Sequence, residues 1–310
     1  MKSNRVYIIF ILLLLIVALS ILYYYLLKKS YKESFESGGG GGGSTGPREG
    51  NVPKKIWTYW NDENMPPSVD LCIKSWRKIN PDYEIIIMTK KNYREYVSIP
   101  DSIANHPNMN DSHARFADLL RIYVIAEHGG IWADASIIMN QAINEWMYAT
   151  TTSAEFYGFH TFYKYERPHY IIENWFFAAP PNSSFVKKWR DEFIRLAEYP
   201  TVADYIHHLD GLGVDFKDWT GDPHYLTMHA AVVKIQQIDK HLMDRIFLIK
   251  SEDGPFRYLF KNNWDAYKSL TYACKYPEFR KPFMKITHYE RPTFEKHLND
   301  DFSNEKCMWY

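Results

Sequence analysis

The stretch from Arg115 to Ser136 places the tightest demand on any fold this chain adopts, because a helix must stop at two adjacent glycines and a buried strand must begin at once. Phe116, Leu119, Leu120, Tyr123 and Val124 recur at the spacing of one apolar helical stripe, which predicts a helix from Ser112 to His128. Gly129-Gly130 ends it, since glycine takes a left-handed C-cap without steric penalty. Ile131-Trp132-Ala133 then reads as a short buried strand. Asp134 therefore stands at a strand's carboxyl end, where open α/β sheets bind their ligands. Asp118 and Arg121 share a helical face at i,i+3 spacing and can act together.

The rest of the body alternates in the same way. Strands are predicted at Lys55 to Trp60, Glu84 to Met88, Glu155 to Phe159, Ile171 to Ala178, Arg245 to Ile249 and Phe283 to Thr287. Helices are predicted at Ser68 to Ile79, Lys91 to Val97, Phe185 to Ala197 with Ser184 as cap, and Leu226 to Gln237. Strand and helix in turn imply an α/β class with a parallel sheet, and the absence of an internal repeat argues against a solenoid. With 46% hydrophobic and 17% aromatic residues in 310, the chain can bury a sizeable core. Its 37 acidic and 37 basic residues cancel, which argues against nucleic acid as the main partner. Cys72, Cys274 and Cys307 have neither metal-site nor disulfide-framework spacing and read as incidental thiols.

The amino terminus divides the chain. After a short tail at 1–5, residues 6–27 carry no charge for 22 positions, enough to cross a bilayer as a helix. Tyr23-Tyr24-Tyr25 before Lys28-Lys29 suits a retained membrane anchor better than a cleaved leader. Lys2 and Arg5 on one side and Lys28, Lys29 and Lys32 on the other do not decide its orientation. Residues 28–50 include a glycine-rich run with the composition of a flexible linker, and residues 51–310 form the body. Two sequons, Asn110-Asp-Ser112 and Asn182-Ser-Ser184, bear on location. A glycan on the first would crowd the Ser112 helix, which points to a cytosolic face for the body.

The Asp118 to Ser136 region resembles the sugar-binding region of DXD-containing glycosyltransferases, whose pattern is roughly S-D-x-x-R followed by G-G-x-Y-x-D-x-D. Seven blocks are similar in order to the capsular polysaccharide synthesis protein family: Ile56-Trp-Thr-Tyr-Trp60, Cys72-Ile-Lys-Ser-Trp76, Gly129-Gly-Ile-Trp-Ala-Asp-Ala-Ser136, Ile172-Glu-Asn-Trp-Phe-Phe-Ala178, Tyr225-Leu-Thr-Met-His229, Glu252-Asp-Gly-Pro-Phe256 and Lys285-Ile-Thr-His288. The likeness runs from about Val52 to Leu298. It implies a GT-A-type, Rossmann-like mixed sheet flanked by helices, and transfer of a sugar from a nucleoside diphosphate donor to a polysaccharide or glycoconjugate. It carries Asp118 and Arg121 to the donor-sugar hydroxyls and the phosphate region, roles that suit a carboxylate acceptor and a guanidinium fork.

Asp134 is the first choice for the donor-site acid. Asn174 suits sugar hydroxyls, and Trp60, last in its strand, suits stacking on the nucleotide base. Glu173 and Asp222 are rival candidates for the acceptor base of an inverting reaction. A divalent cation, Mn²⁺ or Mg²⁺, is implied with Asp134, Ser136 and His288 as ligands, although Ser136 stands where the pattern has its second acid. That departure leaves a second reading open, a catalytically silent glycan-binding scaffold. A glycoside hydrolase would need two carboxylates flanking a cleft, and no motif supplies such a pair.

Overall fold

The computed structural model describes residues 52–310 apart from 148–153, 162–168, 218, 220, 240, 277–278 and 308–310. The predicted anchor at 6–27 and linker at 28–50 lie outside the described residues. Among the described residues no helix is long and apolar enough to cross a membrane.

In chain order the principal elements are β1 (Lys55–Tyr59), α1 (Pro67–Ile79), β2 (Glu84–Met88), α2 (His113–His128), β3 (Gly130–Ala133), β4 (Ile137–Met139), β5 (Phe156–His160), β6 (Ile172–Ala179) and α3 (Ser184–Ile194). They continue with α4 (Val202–Gly211), α5 (Thr227–Ile238), β7 (Ile246–Lys250), α6 (Ala266–Lys275), β8 (Phe283–Lys285) and α7 (Arg291–His297). Six strands form one sheet in the order β2-β1-β3-β6-β5-β7, and β4 pairs with β8 in a second, two-stranded sheet.

The main sheet is mixed, which corrects the all-parallel expectation from alternation alone. β1 runs parallel to β2 and β3, while β6 is antiparallel to both β3 and β5. The physical reason lies in the connection. Only residues 161–171 separate β5 from β6, fewer than a parallel crossover takes. The helix expected at Lys91 to Val97 is a single 3₁₀ turn, Tyr93–Glu95, because Thr89 and Asn92 bond each other's backbone amides in a tight turn at its start. α3 stops at Ile194 and its cap is Ser183, whose hydroxyl accepts from the Val186 amide at 3.3 Å, one residue before the expected Ser184.

α2 also differs from its reading as a helix with one buried stripe. Every residue from Arg115 to Ala126 is buried, because the helix is wedged between β1, β3 and β6 on one side and α3 on the other. Ser112 caps it, accepting from the Arg115 amide at 3.2 Å. At its far end Gly129 has φ 64° and ψ −161°, a backbone region that glycine alone enters readily. Gly130 follows at φ 97°, where a Cβ would lie 2.8 Å from the Lys55 carbonyl oxygen. The two glycines thus do more than cap: Gly130 lets the chain pass against β1, and Gly129 lets it pass against Pro180-Pro181.

Aromatic and aliphatic side chains fill both faces of the sheet, with Trp57, Trp132, Phe177 and Trp189 on one and Ile56, Ile131, Phe176 and Phe283 on the other. The cysteine reading needs correction as well. Cys274 on α6 and Cys307 in the turn Asn304–Cys307 form a disulfide across a sequence separation of 33, while Cys72 is a buried free thiol.

Candidate active site

Register brings the polar groups together. Trp57 of β1 lies beside Trp132 of β3 in parallel, so the strands end together and Trp60 and Asp134 emerge at the same sheet edge. The Asp134 amide donates to the Trp175 carbonyl at 2.8 Å, which brings the start of β6, with Glu173 and Asn174, to that edge too. α2 packs on the same strands and delivers Asp118 and Arg121.

Arg121 is the hub. Its guanidinium donates to Asp134 Oδ1 at 3.1 Å and to the Asn174 carbonyl at 2.9 Å, and pairs with Asp118 Oδ1 at 3.1 Å. The Trp132 ring lies 5.1 Å from its guanidinium carbon, and the Trp132 indole donates to Asp134 Oδ1 at 3.0 Å. Asn174 Nδ2 completes the set by donating to Asp118 Oδ1 at 2.9 Å. Among the described residues Arg121 Nε has no hydrogen-bond partner although it is buried. Below this layer Arg115 donates to Thr227 Oγ1, and to the His224 carbonyl at 2.6 Å, tying α2 to the start of α5.

The two aspartates are driven in opposite directions. Burial raises the Asp118 carboxyl, and the nearby Arg121 and Arg115 charges only partly offset it, so it sits above the ordinary carboxylate value. Burial also works against Asp134, but Lys285 and Arg121, with hydrogen bonds from Lys285 and Trp132, outweigh it and hold the carboxyl below that value. Asp134 is therefore a fixed anion, with its side chain 24% exposed.

The implied cation can be tested against its own donor set. Asp134 Oδ2 and Ser136 Oγ both accept from Lys285 Nζ, at 2.9 and 2.8 Å. A divalent ion on the same oxygens would stand within about 4 Å of the ammonium, a repulsion on the order of 8 kcal/mol at an effective dielectric near 20. His288 is exposed, with its ring 3.8 Å from that of Tyr289. Among the described residues no group of three His, Cys, Asp or Glu is placed to hold a metal. These residues do not fit a divalent cation.

The remaining candidates are placed unevenly. Side chains at 173 and 174 leave β6 in different directions. Glu173 Oε2 accepts from the Trp175 indole at 2.8 Å, Oε1 lies 3.2 Å from Ser251 Oγ, and His229 Nε2 is 3.8 Å away. Asp222 is exposed and engaged with its neighbour His224 at 2.8 Å; none of its described contacts reaches the Asp134 cluster. Trp60 is half-buried under the Arg291 guanidinium at 5.4 Å. Beside it a cavity of about 240 Å³ opens at the ends of β1 and β2, lined by Asn61, Asp62, Glu63, Thr89 and Lys91.

Residues 26–289 match the model of the family described as capsular polysaccharide synthesis protein, well over half of the chain. The chain belongs to the capsular polysaccharide synthesis protein family. Within that match lie Asp118, Arg121, Asp134, Asn174 and Lys285, and it reaches back past the body to residue 26. The chain is also 26% identical over 175 residues to O-glycosyltransferase braB of Annulohypoxylon truncatum, covering 50% of this chain and 40% of that protein. It is 24% identical over 168 residues to O-glycosyltransferase PaGT of Phomopsis amygdali, covering 50% and 41%. The chain thus spans about two fifths of the length of these curated relatives. Among solved structures it is similar to PaToxG glycosyltransferase, with 17% identity, a TM-score of 0.39 and coverage of 81% of this chain and 85% of that one.

Sequence reasoning on this family member missed Lys285, Trp132, Arg115 and His229. Lys285 opens the same Lys285-Ile-Thr-His288 block from which His288 was chosen. The signal that separates the two is register. In the β4·β8 ladder Lys285 is paired with Ile137, the residue after Ser136, and the Ile286 amide donates to the Ser136 carbonyl at 2.9 Å.

Proposed function

We propose that this family member is a glycosyltransferase that moves a hexose-type sugar from a nucleoside diphosphate donor to a polysaccharide or glycoconjugate acceptor. The observation that carries the reading is the Asp118–Arg121–Asp134–Asn174 network at the carboxyl edge of β1 and β3. In an α/β sheet that edge is the ligand crevice, and this one combines a carboxylate and an amide for hydroxyls with fixed cations for phosphate. The family membership and the relatives' names support it. The GT-A type of the fold belongs to this reading, and so does the anchor at 6–27 that would hold the enzyme at a membrane near its acceptor.

In the reaction the bond between the sugar's anomeric carbon and the β-phosphate oxygen breaks, and the electron pair leaves with the nucleoside diphosphate. An acceptor hydroxyl oxygen bonds the same carbon and gives up its proton. The second oxygen of Asp118 and the Asn174 amide would hold sugar hydroxyls. Arg121, with its buried Nε unpartnered among the described residues, would orient toward the phosphates as a fork. Trp60, at the exit of β1, would stack on the nucleotide base. Glu173, set against His229 and next to Asn174, is the better placed of the two candidate bases, since Asp222 reaches the cluster only through His224, whose carbonyl accepts from Arg115. The test is nucleotide release by the full-length protein against UDP-, GDP- and CDP-linked sugars. Release with at least one donor, reduced about 100-fold or more in Arg121→Met, is expected. No release from any donor by folded protein would contradict the proposal.

A further inference from the structure

We infer that Lys285 is the cation of this site: its ammonium stands where a DXD-type enzyme would hold a divalent ion, and it neutralises the donor diphosphate and the departing nucleotide without metal. The inference rests on the transferase reading and assigns a residue to the charge that such a reaction must meet.

Four observations converge on it. Lys285 Nζ lies between the two oxygens of the Asp-Ala-Ser segment, 2.9 Å from Asp134 Oδ2 and 2.8 Å from Ser136 Oγ. The Ser136 hydroxyl accepts from the ammonium, and a serine at this position removes the second negative charge that a divalent ion would require. The lysine is built in. β8 pairs with β4, which begins directly after Ser136, and the Lys285 carbonyl accepts from the Tyr258 hydroxyl at 2.6 Å, so backbone register determines where the ammonium arrives. Finally, the lysine is not alone. Arg121 grips the other oxygen of Asp134 at 3.1 Å, so one carboxylate orients two cations at the sheet edge, and its side chain is 24% exposed there.

An ammonium carries three donors, and Asp134 and Ser136 engage two of them. Among the described residues no partner takes the third, which can turn to a phosphate oxygen, for which a lysine serves as a compact point charge. As the anomeric bond breaks, the negative charge that accumulates on the leaving oxygen meets a cation already in position, and the lysine keeps its proton throughout. A purely structural Lys285–Asp134 pair would leave the leaving group to Arg121 alone, and this difference is measurable.

Binding of UDP, GDP and CDP to the full-length protein is measured by calorimetry, in EDTA and again with millimolar Mn²⁺. For the nucleotide that binds, the wild type is expected to change affinity less than threefold between the two conditions. Lys285→Met is expected to lose tenfold or more in EDTA. The double variant Ser136→Asp with Lys285→Ser is expected to recover binding only when Mn²⁺ is added. A wild type that needs Mn²⁺ for a tenfold gain overturns the inference while leaving the transferase reading standing, and that arm decides even where the lysine variants fail to fold. Lys285→Met binding as tightly as wild type in EDTA also overturns it, by reducing Lys285 to a structural pair. Protein that is folded by circular dichroism and binds none of the three nucleotides overturns both.

Discussion

At the residue scale, Asp134 matters because it is surrounded by donors: two cations and an indole converge on one carboxylate. Its folded value is depressed, so it contributes stability that is fully present above the unfolded value near 3.9 and is lost as pH falls through the folded value. Asp134→Asn should therefore lower the urea midpoint at pH 6 and approach wild type below about pH 4; a pH-independent difference would contradict the assignment. Asp118 has the opposite sign. Its raised folded value means that ionisation costs stability as pH rises above about 3.9, so Asp118→Asn should gain on wild type in midpoint as pH rises from 4 to 7. The same variant should cut donor turnover by about 100-fold, because a neutral amide accepts sugar hydroxyls less strongly than a carboxylate. These residues were legible early: Asp118 and Arg121 share a face by helical period, and the glycine pair carries the chain straight to Asp134. Lys285 was not, because it meets Asp134 across 151 positions and no local pattern encodes that contact.

At the scale of elements, α2 and β3 work as one unit joined by Gly129-Gly130. Both glycines have positive φ, and a Cβ at Gly130 would press against the Lys55 oxygen at 2.8 Å, in the strand that ends at Tyr59, just before Trp60. Gly130→Ala should cost about 2 kcal/mol or more and lower Tm by several degrees, seen in a thermal melt; an unchanged Tm would mean that β1 and β3 tolerate separation at this point. The glycine pair could be read from sequence, since no other residue accepts that backbone. The direction of β6 could not, because hydrophobic runs in parallel and antiparallel strands look alike and only the short β5–β6 connection distinguishes them. β8 was legible as the strand predicted at Phe283 to Thr287, but its partner β4, and so the ladder, was hidden for a different reason. Three-residue strands carry almost no periodic signal, yet this ladder is the element that brings Lys285 to the site.

At the scale of the whole molecule, the Cys274–Cys307 bridge sets the Asn304–Cys307 turn against α6. It closes a loop of 33 residues, for which chain entropy gives a stabilisation of roughly 3–4 kcal/mol. A disulfide suits an oxidising compartment, whereas the sequon at Asn110, exposed just ahead of α2, pointed to the cytosol. Counting thiols in denatured protein taken from its native source separates the two. One reactive thiol, Cys72, is expected for a body in an oxidising compartment, and three would return the body to the cytosol. α2, the end of β3, the start of β6 and β8 are proposed to hold the donor together, and amide hydrogen exchange on the full-length protein reads that contact out segment by segment. In the presence of the nucleotide sugar that supports release, protection should rise at 115–136, 172–176 and 283–288, and in the loop at 61–63. Protection elsewhere, with these four segments unchanged, would contradict the account.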